Sequence, residues 1–377
     1  MESCISCKPL GFGCMRLPML ENGEVDHAQF CQMVDLFLER GFTYFDTAHP
    51  YLDGKSETAI RAALVQRHPR SAYTLANKLS NSCFKTEADI RPFLQTQLDA
   101  CGVEYFDYYL FHALNADYYK KFTVCRAFET VQQLKAEGKV RHVGMSFHDK
   151  ATVLDEILTD HPELEFVQIQ FNYADLDDPG IESRRCWEVC RRHGKPIVVM
   201  EPVKGGGLAD KLPPAGKLLF SQAGLSPAAA AVRFAAGYEG VAVVLSGMST
   251  LAQLEENTAY MRDFAPLSAA EQAAVEAVQA LLKRQDSIAC TACRYCTAGC
   301  PKAIDIPALF ACYNTSQVYE GWNSEAYYEA NTLHGGKASD CVRCGKCEAI
   351  CPQHLPIREL LQTVARRFET EGNQDSI

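Results

Sequence analysis

Eight of the chain's 18 cysteines stand in two runs near its C-terminal end, at a spacing that suits metal ligands. Both runs read C-x2-C-x2-C-x3-C-P, and they consist of Cys290, Cys293, Cys296, Cys300 and Pro301, and of Cys341, Cys344, Cys347, Cys351 and Pro352. Three thiolates two residues apart can surround one iron–sulfur cube, while the fourth, displaced by the proline, reaches a second cube. Zinc also accepts four thiolates at C-x2-C spacing, but the trailing Cys-Pro in both runs is redundant for zinc. The runs therefore predict iron–sulfur chemistry, with zinc as the alternative.

The two runs resemble those of bacterial two-cluster ferredoxins. That resemblance implies two [4Fe-4S] clusters with crossed ligand sets. The first cluster would be held by Cys290, Cys293, Cys296 and Cys351, and the second by Cys341, Cys344, Cys347 and Cys300. The 40 residues between the runs, 301–340, are a longer linker than in compact ferredoxins and contain a predicted helix at 325–333. We therefore expect the ligands to follow the ferredoxin pattern and the outline of the domain to differ from it.

A second group of reactive side chains lies far from the cysteine runs. Asp46, Lys78 and His112 each end a predicted buried strand, and Tyr51 lies in the loop after Asp46. A lysine beside a tyrosine lowers the pKa of the phenol, and a carboxylate beyond keeps that lysine charged, so the group could form a proton donor. Each residue alone could cap a turn, pack or face solvent. Their occurrence together at the ends of three successive strands favours catalysis.

Alternating strands and helices are predicted to position these residues. Short apolar runs predict eight strands, at 10–14, 42–46, 73–78, 106–112, 140–146, 166–170, 196–201 and 241–246. Helical periodicity predicts helices at 26–40, 55–67, 87–101, 120–137, 150–160, 181–193, 226–237, 250–262 and 268–284. Eight such units favour an α/β fold, a closed (β/α)8 barrel whose site lies at the C-terminal ends of the strands. The composition then shifts to cysteine, glycine and proline, so we assign the barrel to 1–284 and the ferredoxin-like domain to 285–377, with the boundary near Arg284.

The segments around the second group resemble those of the aldo-keto reductase superfamily. The matching segments are Leu10-Gly11-Phe12-Gly13, Asp46-Thr47-Ala48-x-x-Tyr51, Gly54-x-Ser56-Glu57, Asn77-Lys78, Phe111-His112, Gly144-Met145-Ser146 and Val167-Gln168. The resemblance covers about residues 8–265, and with the cysteine runs it is nearest to bacterial members that carry a C-terminal two-cluster domain. It implies that Tyr51 is the general acid and that Lys78 tunes the pKa of Tyr51. Asp46 would be the partner of Lys78, and His112 would orient the substrate carbonyl.

The same resemblance implies a nicotinamide cofactor. Ser146 and Gln168 would bind its carboxamide, and the loop Lys204-Gly205-Gly206-Gly207 after the seventh strand would bind its pyrophosphate. Glycines let backbone N–H groups approach phosphate oxygens closely, and the lysine adds positive charge.

Two departures from the family pattern bear on the choice of cofactor. Met200 stands where the family often has an aromatic ring against the nicotinamide. The segment 245–257 contains no basic residue for a 2′-phosphate and carries Glu255 and Glu256 instead. The sequence therefore favours NADH over NADPH and leaves open a flavin in place of the nicotinamide.

Composition excludes several other classes of protein. The apolar content of 47% is that of a globular chain, and the net charge of −10 gives no basic surplus for a nucleic-acid partner. Arg233 and Glu239 interrupt the most apolar stretch, 227–245, and no signal peptide is evident, so we expect a soluble, cytoplasmic protein with no membrane partner. We interpret Cys4-x2-Cys7 as an ordinary reduced pair, with a redox or metal site as the alternative.

Three functions remain open from the sequence. The favoured one is an oxidoreductase that interconverts a small carbonyl and alcohol in the barrel, with the clusters passing electrons to or from a partner protein. The second is an electron-transfer protein whose barrel is not catalytic. The third is a reductase whose clusters are purely structural. The intact set of Asp46, Tyr51, Lys78 and His112 favours the first.

Overall fold

The computed structural model describes residues 4–282, 288, 290–318 and 322–369. Its first part is a closed barrel in which β1 to β8 are hydrogen-bonded in chain order, each strand parallel to its neighbours. The strands are Leu10–Gly13 (β1), Tyr44–Asp46 (β2), Thr74–Leu79 (β3), Phe106–Leu114 (β4), Val140–Phe147 (β5), Phe166–Gln170 (β6), Ile197–Met200 (β7) and Val241–Ser246 (β8). Most of their residues are buried, because one face fills the barrel and the other contacts helices. The predicted (β/α)8 barrel and its eight strands are confirmed.

Helices surround the barrel. They are His27–Glu39 (α1), Lys55–Ile60 (α2), Glu87–Cys101 (α3), Ala116–Val124 (α4), Ala127–Ala136 (α5), Ala151–Asp160 (α6), Ser183–Arg192 (α7), Pro214–Gln222 (α8), Pro227–Ala236 (α9), Leu251–Arg262 (α10) and Ala269–Leu282 (α11). The prediction of a single helix at 120–137 is wrong. The helical conformation is interrupted between α4 and α5 at Arg126, whose backbone is left-handed with a φ of 53°. The predicted helix at 55–67 continues past α2 only as a π-helical turn, Arg61–Val65. Helix α8 was not predicted.

The N-terminal segment closes the barrel at the end opposite the predicted site. Ile5 is buried among residues that include Tyr44 and Tyr108, and the Tyr108 hydroxyl donates to the Cys4 carbonyl at 3.3 Å. Burial raises the pKa of the Cys4 thiol to about 11 and that of Cys7 to about 12. Both thiols therefore stay protonated near neutral pH, which favours the interpretation of an ordinary reduced pair.

The second part of the structure is a small helical domain. Its helices are Tyr295–Ala298 (α12), Ile306–Val318 (α13), Trp322–Thr332 (α14), Lys346–Ala349 (α15) and Ile357–Phe368 (α16). The helix predicted at 325–333 is α14. The apolar core of this domain includes Leu309, Phe310 and Val364, all buried. The domain boundary predicted near Arg284 lies outside the described residues.

The helical domain contacts the barrel at the end where the strands finish. The Asn331 side chain of α14 donates to the Gly180 carbonyl, in the loop after β6, at 2.9 Å. The ring of Tyr327 lies with its centroid 5.8 Å from that of His148, which directly follows β5. The two parts of the chain therefore meet beside the predicted site. Within the described residues, no helix is long and apolar enough to cross a membrane.

Candidate functional site

Lys78 lies at the centre of the barrel site. Its Nζ donates to Asp46 Oδ1 at 2.5 Å, to the Thr47 carbonyl at 2.8 Å and to the Tyr51 hydroxyl at 3.3 Å. Strands β2 and β3 are neighbours, and their register pairs Asp46 with Ala76, two residues before Lys78. The carboxylate and the lysine therefore lie close together at the C-terminal ends of the two strands. Lys78 is fully buried and Asp46 nearly so, whereas Tyr51 is partly exposed. The structure thus joins three of the four predicted catalytic residues in a chain that ends at an accessible phenol.

Charge and burial determine the pKa values of Lys78 and Tyr51. Burial is the largest single effect and would lower the pKa of Lys78, but the charges of Asp46 and Tyr51 and the hydrogen bonds to both together outweigh it, so the pKa is raised above its ordinary value. Burial raises the pKa of Tyr51 too, and Lys78 opposes the rise without reversing it. The expectation that lysine would lower the pKa of the phenol overall therefore leaves out the larger effect of burial. The result is a tyrosine that holds its proton at neutral pH and can donate it.

His112, near the end of β4, completes the set at the barrel mouth. Its ring centroid is 6.0 Å from that of Tyr51, and its Nδ1 lies 2.7 Å from the Ser80 hydroxyl. Burial, with the positive charge of Lys78, lowers the pKa of His112 well below its ordinary value, so the imidazole is neutral. A neutral ring that accepts from Ser80 at Nδ1 carries its proton on Nε2 and can donate it to a substrate oxygen.

A buried hydrogen-bond network behind Lys78 holds β3 in place. Glu57 accepts from the Asn77 side chain at 2.8 Å, and its other oxygen lies 2.8 Å from His49 Nδ1. Gln97 donates to Asn77 Oδ1 at 2.9 Å and to the Lys78 carbonyl at 3.0 Å. These contacts satisfy a buried carboxylate and fix the backbone that carries the lysine. The sequence motifs contained Glu57 and Asn77 but gave no sign of Gln97, which comes from α3.

Ser146 and Gln168 lie next to each other across β5 and β6, as their register shows. The Ser146 hydroxyl accepts from the Ala113 amide at 2.7 Å, and Gln168 Nε2 lies 3.7 Å from the Met200 sulfur. Gln168 Oε1 is buried, and no group in the described part of the chain hydrogen-bonds it. A hydroxyl donor beside an unsatisfied amide oxygen is the pair of groups that a carboxamide would use.

The glycine loop after β7 is a tight turn with an ion pair beneath it. Gly205 and Gly206 have φ values of 61° and 90°, which glycine adopts without strain. The Lys204 amine is buried and pairs with Asp175, so it does not extend into the open side of the loop. A Cβ on Gly205 would lie 3.4 Å from a guanidinium nitrogen of Arg16. Arg16 is therefore a cation beside this loop that sequence reasoning missed.

Two further residues at the mouth also had no sequence signal. His148 is buried and has a pKa of about 4, lowered by burial and then by the charge of Lys78. Tyr327, from α14, is buried against it. No periodicity or motif could have found this pair, because it forms only when the helical domain packs on the loop after β5.

The eight cysteines of the two runs line two separate cavities. One is lined by residues that include Cys300, Cys341, Cys344 and Cys347. The other is lined by residues that include Cys290, Cys293, Cys296 and Cys351. Each cavity thus receives three cysteines from one run and the fourth from the other, and Ile306 lines both. This grouping is the crossed ligand set that the resemblance to two-cluster ferredoxins implies.

A closed barrel with an acid, lysine and tyrosine chain at its mouth defines a barrel oxidoreductase, and comparison with known proteins gives its family. The profile described as the aldo/keto reductase family matches residues 9–280, and that of a 4Fe-4S dicluster domain matches residues 289–355. The chain belongs to the aldo/keto reductase family and adds to its barrel an iron–sulfur domain of the 4Fe-4S dicluster type. The family resemblance found in the sequence is confirmed.

Individual relatives are distant. A Glycine max protein named probable aldo-keto reductase 1 is 28% identical over 215 residues, a match that spans 54% of this chain and 58% of that protein. An aldo-keto reductase of Klebsiella pneumoniae, solved in complex with NADPH, has a TM-score of 0.61 at 20% identity, covering 74% of this chain and 95% of that one. The holo form of an aldo-keto reductase from Bacillus halodurans has a TM-score of 0.60 at 24% identity, covering 73% of this chain and 93% of that one. At these identities the solved structures establish the fold alone.

Proposed function

We propose that the barrel interconverts a small carbonyl compound and its alcohol, with Tyr51 as the group that donates and recovers the proton. The observation that carries this proposal is the chain of contacts from Asp46 through Lys78 to the Tyr51 hydroxyl. In the reducing direction the Tyr51 phenol gives its proton to the substrate oxygen. Lys78 stabilises the phenolate that remains, and Asp46 keeps Lys78 charged.

His112 and the residues of the cofactor side complete the proposed site. The neutral His112 donates a hydrogen bond that holds the carbonyl oxygen close to Tyr51. A bound nicotinamide supplies the hydride for this chemistry. Ser146 and Gln168 would hold its carboxamide, which fits the buried, unsatisfied Gln168 oxygen. The pyrophosphate would lie against the loop Lys204-Gly205-Gly206-Gly207 with Arg16 as the nearby cation. Asp175 engages the Lys204 amine, and the N–H groups of Lys204, Gly206 and Gly207 donate to backbone carbonyls of the turn.

Replacing Tyr51 tests the acid directly. Tyr51→Phe removes the transferable proton and little volume, so carbonyl reduction should fall about 10²–10⁴-fold while the fold and iron content stay unchanged. Tyr238→Phe, a half-buried tyrosine on the outside of the barrel, is the matched control and should keep wild-type turnover. The measurement is NADH oxidation with a panel of small aldehydes and ketones. Unchanged turnover in Tyr51→Phe, on a substrate that the wild type reduces, would rule out Tyr51 as the acid.

We propose in addition that the two thiol-lined cavities hold two [4Fe-4S] clusters that relay electrons to or from a partner protein. The crossed grouping of the cysteines supports this assignment. The trailing Cys-Pro in both runs also favours clusters over zinc, for which it is redundant. Anaerobically purified protein should contain about eight iron and eight sulfide per chain. Stoichiometric zinc with little iron would contradict the assignment.

The number of electrons separates the two sites. A hydride carries two electrons, whereas each cube normally passes one. We therefore expect that NADH alone does not reduce the clusters at a useful rate, and that a flavin, a flavoprotein or a radical-forming substrate mediates. Anaerobic rapid mixing of flavin-free enzyme with NADH measures this through the cluster absorbance. Prompt bleaching without substrate or partner would contradict the expectation.

A further inference from the structure

Three exposed cations surround the cavity that is lined by Cys300, Cys341, Cys344 and Cys347. Lys302 follows Cys300 by two residues, Arg343 precedes Cys344, and Lys346 precedes Cys347. Lys302 and Lys346 line the cavity itself. All three side chains belong to exposed residues, and Cys344 is exposed among them. Positive charge therefore lies at the solvent side of this cavity.

These cations differ from the two arginines that line the cavities, which are neutralised. Arg294 pairs with Asp305 at 2.7 Å, and Arg358 pairs with Glu348 at 2.6 Å. Among the residues that the structure describes, Lys302, Arg343 and Lys346 are outside ion-pair distance of a carboxylate, although Arg343 lies near enough to Glu348 for their charges to interact. Two carboxylates stand equally close to the same proposed ligands: Asp340 precedes Cys341, and Glu348 follows Cys347 and is paired with Arg358. The three cations still leave a net positive charge here, a local reversal in a chain of net charge −10. Such a reversal selects a partner of negative charge.

An apolar side chain lies among these charges. Val342 is 54% exposed and lines the same cavity, between Cys341 and Arg343. We call Lys302, Val342, Arg343, Cys344 and Lys346 the basic face. An apolar contact with a charged rim is the usual composition of a protein interface, and here it lies directly over one set of thiols.

The other cavity lacks this combination. Its exposed apolar neighbours are Tyr295 and Ile350, at 60% and 54% exposure, and the cation that lines it is Arg294, which Asp305 neutralises. The two sets of thiols are equivalent in their ligands but differ in what they present to solvent. The asymmetry indicates which of the two cavities faces an acidic partner.

We propose that the basic face docks an acidic one-electron carrier protein, and that the cluster held by Cys300, Cys341, Cys344 and Cys347 exchanges electrons with it. This inference rests on the proposed iron–sulfur relay. One electron leaves the reduced carrier, whose flavin or iron–sulfur centre is oxidised, and reduces the cluster of this chain by one electron. No bond forms or breaks, and no proton is transferred. The positive rim steers the carrier toward the cluster.

Charge reversal tests the docking. The probe is a reduced, strongly acidic [2Fe-2S] ferredoxin, mixed anaerobically in a stopped-flow instrument with the complete holoprotein. The variant Lys302→Glu, Arg343→Glu, Lys346→Glu should react at least about tenfold more slowly at low salt, within the range that electrostatic steering supplies. The difference should vanish near 1 M salt, where the Debye length is about 3 Å. A matched variant, Arg61→Glu, Lys85→Glu, Lys217→Glu, reverses three exposed cations on the barrel that are likewise outside ion pairs among the described residues, and it should keep the wild-type rate.

Several readouts separate the possible failures. Iron and sulfide content, with reduction by dithionite, show whether each variant retains its clusters, and the milder set Lys302→Gln, Arg343→Gln, Lys346→Gln replaces the reversal if iron is lost. Equal rates for the basic-face and barrel variants would overturn the docking proposal. The proposal would also be overturned if dithionite reduces the clusters of the wild type and the acidic carrier does not. If the wild type sediments as a dimer and the charge-reversal variant as a monomer, the basic face binds a second copy of this chain, and the docking proposal is again overturned. A wild type without clusters would instead overturn the proposed relay.

Discussion

Lysines serve opposite purposes in the barrel site and on the basic face. Lys78 is fully buried, and its amine contacts a carboxylate, a carbonyl and a phenol. Lys302 and Lys346 are exposed and have no ion-pair partner among the described residues. A buried charge must be matched by the protein itself, so it fixes the position of a proton. An exposed charge is matched by solvent or a partner, so it acts at a distance and weakens with salt.

Removing the iron should have the largest structural effect, and it should affect one region only. The helical domain has a small core and two thiol-lined cavities, so we expect metal ligation to contribute a large share of its folding free energy. In anaerobically prepared apoprotein, amides of α13 and α16 should lose protection from hydrogen exchange while those of the barrel strands keep it. Protection of α13 equal to that of the holoprotein would show that the domain folds without clusters.

Removing the Lys78 amine should be the next largest effect. Lys78→Met leaves Asp46 buried without its cation, which should cost about 3–5 kcal/mol in the free energy of unfolding of the barrel. The double variant Asp46→Asn, Lys78→Met should recover most of this stability and remain inactive. Lys346→Met, on the exposed side, should change stability by no more than about 0.5 kcal/mol. Denaturant unfolding measures all three, and a single variant as stable as the double would contradict the buried ion pair.

The histidine at the domain contact should make stability depend on pH. His148 has a pKa of about 4 in the folded chain against 6.5 ordinarily, so protons favour the unfolded state. The stability that the neutral His148 contributes is fully present above pH 6.5 and is lost as the pH falls toward 4. The loss reaches about 2 kcal/mol at pH 5. His148→Gln should lose less stability than wild type between pH 7 and pH 5. His112 and the partly exposed Asp178, whose pKa burial of the carboxyl raises to about 6, titrate in both proteins. The difference between the two curves of unfolding free energy against pH therefore isolates His148, and parallel curves would contradict its low pKa.

The smallest expected effect concerns the cofactor. We expect NADH to bind at least as well as NADPH, because Glu255 and Glu256 repel a 2′-phosphate and Arg16 is paired with Glu201 at 3.4 Å. Equilibrium titration of both nucleotides measures the ratio. NADPH binding tighter by tenfold or more would contradict this and point to Arg16 leaving Glu201 for the phosphate. Arg16→Ala would then remove the preference.

Much of the barrel could be predicted from the sequence, because the apolar runs are largely buried on both faces and polar residues mark the ends of several strands, among them Asp46, Gln170 and Ser246. The error at 120–137 has a local cause: Arg126 takes a left-handed conformation without a glycine or proline to mark it. The boundary near Arg284 and the start of the chain lie outside the described residues. Helix α8, which begins after Pro213, was missed because a short segment rich in glycine and proline predicts a loop.

The four residues of the barrel mouth could be named from their spacing, but their energetics could not. The pKa of Tyr51 depends on how deeply the site is buried, which no motif encodes. Ser80, Arg16, His148 and Tyr327 belong to the site through tertiary contacts, and none stands in a recognisable pattern. Lys204 was expected at a pyrophosphate, yet its amine lies against Asp175, whose position depends on the loop after β6.

The packing of Tyr327 on His148 places a helix of the iron–sulfur domain in the wall of the barrel mouth. Oxygen attacks exposed iron–sulfur clusters, and two of the cysteines that we propose as ligands are exposed, Cys293 and Cys344. If the clusters stabilise the helices around them, their destruction by air loosens α14 and so opens the wall beside His112. Exposure to air would then alter carbonyl turnover in the barrel even though no barrel residue is oxidised. The enzyme would be an indirect sensor of its atmosphere.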